Sequence, residues 1–75
     1  MKSKLHNKNI GLMLKKMREH RKLTQVKLAL DSNITRQTIN NIESGRISTT
    51  IDSLAALAGV LNCNLDVSLI PRERE

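Results

Sequence analysis

The 75-residue sequence contains no Phe, Tyr or Trp, and it has only one cysteine and one proline. Without these rings the core must be aliphatic. Their absence also argues against an RNA or single-strand module, since such modules usually stack bases on aromatic side chains. Cys63 cannot form a disulfide within the chain, which is typical of a reducing compartment. We predict that Cys63 is a small, half-buried residue near a helix end, rather than a reactive or metal-binding thiol.

No apolar run approaches the roughly 18 residues of a membrane-spanning helix. The first eight residues are basic but lead into no apolar segment of the signal-peptide kind. We therefore expect a cytoplasmic, nucleoid-associated protein with no membrane partner. The length allows one domain with a small core, so a dimer or a very compact helical fold is expected.

The sequence lacks the patterns that catalysis requires. It has no Gly-rich phosphate loop and no metal-ligand spacing, and its two histidines, His6 and His20, are both expected to be exposed. We predict a protein that is not an enzyme and that uses no cofactor and no metal.

Positive charge is concentrated in the first part of the chain. Residues 1–46 hold eleven Lys or Arg against three acidic residues, a net charge of +8, whereas residues 47–75 hold two against four, a net charge of −2. A basic half indicates a polyanionic partner, and the missing aromatic residues favour duplex DNA over single strands.

Apolar residues at three- and four-residue spacing predict a helical domain over residues 9–62, after a flexible basic arm over 1–8. Thr24 and Thr35 are suited to cap helix starts, while Asn33 and Gly45 tolerate the left-handed backbone of helix ends.

The expected helices span about Asn9–Lys22, Gln25–Asp31, Arg36–Glu43 and a last segment from the Ser48-Thr49-Thr50 cluster to Asn62. Ile10, Met13, Leu14 and Met17 form the apolar stripe of the first, and Ile51, Leu54, Leu57, Ala58 and Leu61 that of the last.

The two short central helices are typical of a helix-turn-helix, whose second helix enters the DNA major groove. Ile39 and Ile42 are spaced to pack inward, and the remaining side chains of that helix suit hydrogen bonds to base edges. The predicted base-contacting residues are Arg36, Gln37, Thr38, Asn40 and Asn41. The predicted phosphate contacts are Gln25, Lys27, Thr35, Ser44 and Arg46.

Residues 63–75 follow a different pattern, because Leu65, Val67 and Leu69 alternate with their neighbours at a period of two. This alternation predicts a short strand that ends at Pro71. Since a lone strand is not stable, we expect it to pair with its symmetry mate, so that these three residues mediate dimerisation. A fifth short helix is the alternative.

The pattern Thr-Gln-x-x-Leu-Ala, followed by Ile-x-x-Ile-Glu-x-Gly, occurs at Thr24–Ala29 and Ile39–Gly45. With Ile34, it makes the segment Ile10–Leu61 resemble the Cro/C1-type (XRE) helix-turn-helix family of lambda repressor-like domains. That resemblance implies an all-α bundle of four to five helices that binds inverted-repeat operators as a homodimer. It also implies a structural ion pair between Arg18 and Glu43. Asn33 departs from the glycine that the family often has in the turn.

The tail narrows the resemblance to the HipB-like antitoxins, in which such a strand forms a sheet between subunits. This implies an antitoxin of a toxin-antitoxin operon that represses its own transcription and binds a HipA-type kinase toxin. The alternatives are a stand-alone repressor, of the phage or restriction-modification controller type, and a protein-interaction adaptor without DNA binding.

Overall fold

The computed structural model describes residues 2–66, 68, 69 and 71, with side chains from Asn7 onward. Over these residues the secondary structure is entirely helical. The four helices are α1 (Lys2–His20), α2 (Gln25–Ser32), α3 (Arg36–Glu43) and α4 (Ile51–Val60). None of these helices combines the length and the apolar character that crossing a bilayer requires.

Helix α1 begins at Lys2 rather than near Asn9. Residues 2–8 are therefore helical where a flexible arm was expected, and Met1 lies outside the described residues. No Gly or Pro occurs between Lys2 and Asn9, so nothing in this segment interrupts the helix. At its other end α1 stops two residues early, because Lys22 takes a left-handed conformation with φ 61°.

Threonine hydroxyls cap the starts of the other three helices. Thr24, Thr35 and Thr50 each accept a hydrogen bond from the backbone N–H three residues on, at 3.0 to 3.1 Å. Asn33 (φ 60°) and Gly45 (φ 78°) provide the left-handed residues after α2 and α3. These local predictions from the sequence are confirmed, and they place the turn between α2 and α3 where the motif requires it.

Helices α2 and α3 lie at the centre of the packing, because α3 contacts α1 and α2, and α2 also contacts α4. The buried core consists of Leu14, Leu28, Ile39, Ile42, Leu57 and Leu61. Met13 and Ile51 were expected to face this core, but they are 70% and 61% exposed. Met13 lies about 100° round the helix from Leu14, at the edge of the apolar stripe, where none of the four described helices covers it.

The predicted C-terminal strand is not seen. Residues 64–66, 68, 69 and 71 are in neither a strand nor a helix, so the alternative of a fifth helix is not seen in them either. Val67 lies outside the described residues. A strand is defined by hydrogen bonds to a neighbouring strand, and a single copy of this chain offers no such neighbour in its described part.

Candidate nucleic-acid interface

Helix α3 has a buried inner side, formed by Ile39, Ile42 and Glu43, and a polar outer side. Ile39 and Ile42 are at most 2% exposed and hold the helix against α1 and α2. Arg36, Gln37 and Asn40 are exposed. The side chains with the best hydrogen-bonding geometry for guanine and adenine therefore lie on the surface of one rigid helix.

Two other predicted base contacts are less accessible. Thr38 is half-buried, and its hydroxyl accepts a hydrogen bond from the Thr35 hydroxyl at 2.9 Å. Asn41 is also half-buried, one position round the helix from Asn40. The structure thus separates the five predicted residues into three exposed ones and two at the margin of the exposed side.

The predicted phosphate contacts lie at helix ends. Thr35 and Ser44 are exposed at the start and end of α3, and Arg46 is exposed just beyond it. Lys27 is exposed on α2 and pairs with Asp31, with 3.3 Å between Nζ and Oδ1. None of these side chains is buried, so each is available to a polyanion at the surface.

Beneath the polar side of α3, Arg18 and Glu43 form a bidentate ion pair. Arg18 Nε donates to Glu43 Oε2 at 2.7 Å, and Arg18 Nη2 donates to Oε1 at 3.0 Å. Arg18 Nη1 also donates to the carbonyl oxygen of Leu23 at 2.8 Å. The hydrogen bonds to the Glu43 carboxylate raise the pKa of Arg18, so its charge persists at any working pH.

Gln25 extends this pair towards the surface. Its amide nitrogen Nε2 donates to Glu43 Oε1 at 3.0 Å and to Asn40 Oδ1 at 3.3 Å. Gln25 is half-buried, unlike the other predicted phosphate contacts. A continuous set of hydrogen bonds therefore runs from the buried ion pair to an exposed side chain of α3.

The sequence did not predict the role of two residues that fix how the helices pack. A Cβ on Gly11 would collide with the carbonyl oxygen of Ile42 and lie 2.8 Å from that of Glu43, so a glycine lets α1 pack directly against α3. Arg21 Nε donates to the carbonyl oxygen of Leu61 at 2.9 Å and so ties α1 to the end of α4. A glycine within an amphipathic helix is a recognisable signal of close packing, whereas nothing in the sequence marks Arg21.

Metal chemistry has no visible basis in the described part of the chain, where no three His, Cys, Asp or Glu side chains are grouped closely enough to hold an ion. The candidate interface consists of hydrogen-bonding and cationic side chains on α3 and at the ends of α2 and α3.

Comparison with known proteins gives two findings. The profile of the helix-turn-helix family matches residues 14–68. The immunity repressor protein of Bacillus phage phi105 is 39% identical to this chain over 64 residues, which cover 85% of the chain and 43% of that relative. The chain thus spans less than half the length of the curated relative that it matches. Because the profile covers most of the chain, including all of α2, α3 and α4, the protein belongs to the helix-turn-helix family of the XRE type.

Proposed function

We propose that this chain is a sequence-specific repressor of the phage type, which binds duplex DNA as a homodimer and blocks transcription from a promoter that overlaps its operator. The observation that carries this proposal is the two-sided α3. Its inner side is fixed by buried isoleucines and by the Arg18–Glu43 pair, and its outer side exposes Arg36, Gln37 and Asn40.

The exposed residues of α3 supply direct readout. Arg36 lies in the first turn of α3, the part of a recognition helix that usually reaches the bases, and its guanidinium can donate two hydrogen bonds to guanine. Gln37 is one position on and can pair with adenine. Thr38 and Asn41 have secondary roles at the margin, where a methyl or amide group can contact an adjacent base.

The cationic and hydroxyl groups at the helix ends supply affinity. Lys27 and Arg46 neutralise phosphates. The exposed hydroxyls of Thr35 and Ser44 donate to Thr38 Oγ1 and to the Asn41 carbonyl within the chain, and they would rotate to donate to a phosphate instead. The backbone N–H groups in the first turn of α2 add to this contact. Such contacts set the register of the protein on DNA without reading its sequence.

The tail and an adjacent groove support dimerisation. Leu69 is 97% exposed and Leu65 37% exposed, so large apolar side chains project from the segment that follows α4. Leu65 also lines an open apolar groove of about 660 Å³, together with Met13 of α1 and Leu54 of α4. A second copy of the chain, paired through Leu65, Val67 and Leu69, would remove these apolar surfaces from water.

The likeness to an immunity repressor favours the stand-alone repressor over the antitoxin. The antitoxin interpretation, with its HipA-type kinase partner, depended on a strand in the tail, and no strand is seen in the described tail residues. The adaptor interpretation is disfavoured because the polar side of α3 carries no covering element in the described part of the chain. The protein is accordingly proposed to act on chromosomal or prophage DNA in the cytoplasm.

Selection from a library of randomised duplex DNA, followed by binding measurements at two salt concentrations, tests the proposal. The expected result is an inverted repeat whose half-sites lie about 34 Å apart, one helical turn. Binding to the selected site should exceed binding to unrelated DNA at both salt concentrations. Equal and strongly salt-dependent binding to both DNAs would show phosphate contacts alone and would contradict the proposal.

A further inference from the structure

We infer that Gln25 sets the base preference of α3 indirectly, by fixing the amide group of Asn40 so that it presents a hydrogen-bond donor to the DNA. The inference rests on the proposed function and assigns one of its specificity determinants. Gln25 is then a positioning residue that acts through Asn40.

The first step is the orientation of the Gln25 amide. The Arg18 guanidinium donates to both oxygens of the Glu43 carboxylate, at 2.7 and 3.0 Å, so both oxygens serve as acceptors. An ionised carboxylate only accepts hydrogen bonds. The Gln25 atom that lies 3.0 Å from Glu43 Oε1 must therefore be the nitrogen Nε2, and the charge of the ion pair fixes which way the Gln25 amide faces.

The second step passes this orientation to Asn40. The Nε2 group of Gln25 carries two hydrogens and only donates. One hydrogen is directed to Glu43 and the other to the Asn40 atom at 3.3 Å, which must be the oxygen Oδ1. This contact holds the Asn40 amide with its oxygen Oδ1 facing Gln25. The Nδ2 group of Asn40, which carries two hydrogens, faces the other way.

The consequence is a preference for bases that offer an acceptor. In the major groove guanine presents N7 and O6, adenine N7 and thymine O4, whereas cytosine presents only its N4 amine. An Asn40 held by Gln25 therefore favours the first three over cytosine, although a free asparagine could turn and accept from cytosine. Both amide hydrogens of Gln25 are used within the chain, so in this arrangement it has none to donate to a phosphate.

The test compares selections from randomised duplex DNA for the wild-type chain and for Asn40→Ala, Gln25→Ala and Gln25→Lys. The base pair at which Asn40→Ala loses the wild-type base preference is the one that Asn40 contacts. There the wild type should disfavour cytosine by at least roughly fivefold, and Gln25→Ala should reduce this to less than about twofold. Gln25→Lys should keep the discrimination, because an ammonium group donates to both Glu43 and Asn40 Oδ1 as Nε2 does.

Controls separate positioning from folding and from phosphate binding. Circular dichroism establishes that each variant is folded, and Gln25→Met provides a second variant without a donor should Gln25→Ala unfold. Lys27→Ala, on the same helix, should weaken binding evenly while every base preference is kept. If Gln25→Ala likewise weakens binding to all sequences equally and keeps every base preference, Gln25 is a phosphate contact and the inference is wrong. If the wild-type chain enriches no motif at all, the proposed function fails, and the inference fails with it.

Discussion

Arg18 on α1 and Glu43 at the end of α3 are 25 residues apart in sequence and form an almost fully buried ion pair, with side chains 11% and 3% exposed. Neither charge can return to water without moving α1 away from α3. The pair therefore couples the packing of the domain to the placement of α3, the helix that is proposed to face DNA, since Glu43 also holds Gln25.

Arg18→Ala should lower the free energy of unfolding by about 3–5 kcal/mol, because it leaves the Glu43 carboxylate buried without its partner. It also removes the hydrogen bond to the carbonyl oxygen of Leu23. Urea denaturation followed by circular dichroism measures the change.

The matched control is Lys27→Ala, which removes the ion pair with Asp31. The side chains of that pair are 57% and 40% exposed, so its loss should cost less than about 0.5 kcal/mol. Similar losses in the two variants would show that burial of the Arg18–Glu43 pair does not determine its contribution.

Gly11→Ala should destabilise the protein by roughly 1–3 kcal/mol, because a methyl group there collides with the backbone carbonyl of Ile42 and α1 must shift away from α3. Gly59→Ala is the natural control, since a Cβ on Gly59 meets nothing within 4 Å. That second change should stabilise α4 by about 0.4–1 kcal/mol, because alanine loses less backbone entropy than glycine. Thermal denaturation of both variants would contradict this account if their melting temperatures moved in the same direction.

Local chemistry made much of the fold predictable. The bounds of α3, the threonine caps at Thr24 and Thr35 and the left-handed Asn33 and Gly45 all depend on residues within a few positions of each other. Such features follow from backbone hydrogen bonding and steric preference and need no knowledge of the tertiary structure. The polar side of α3 was predictable for the same reason, because helical periodicity alone separates it from Ile39 and Ile42.

Features that depend on contacts between distant elements were not predictable. The passage of α1 across α3 at Gly11 and the use of both Gln25 hydrogens within the chain depend on the exact angle between helices. The family resemblance predicted the ion pair between Arg18 and Glu43. It did not predict that hydrogen bonds extend from this pair to Asn40. The start of α1 was missed because the apolar stripe that predicts a helix begins only at Ile10, while the helix itself continues back to Lys2.

Leu69→Asp should dissociate the proposed dimer, because it places a charge in the apolar tail that is proposed to pair between two copies. The dissociation constant should rise at least about tenfold, since each leucine gains roughly 1.5–3 kcal/mol on burial. Leu30→Asp is the matched control: Leu30 is 74% exposed but lies on α2, away from the tail. Sedimentation velocity that finds both variants still dimeric would rule out the tail as the dimer interface.

Arg36→Ala and Arg46→Ala should weaken operator binding in different ways, although both remove one exposed guanidinium from opposite ends of the same helix region. Arg36 lies in the first turn of α3, so its loss should cost roughly 1–3 kcal/mol on the selected site and relax the preference at one base pair. Arg46 lies beyond the end of α3 and is assigned to a phosphate. Its loss should reduce affinity by a similar factor on every sequence and lower the slope of log affinity against log salt by about 1.

Affinities measured on the selected site and its single-base variants, each at several salt concentrations, separate these two effects. If Arg36→Ala changes only the salt slope, its guanidinium contacts a phosphate, and base readout by α3 must depend on Gln37 and Asn40.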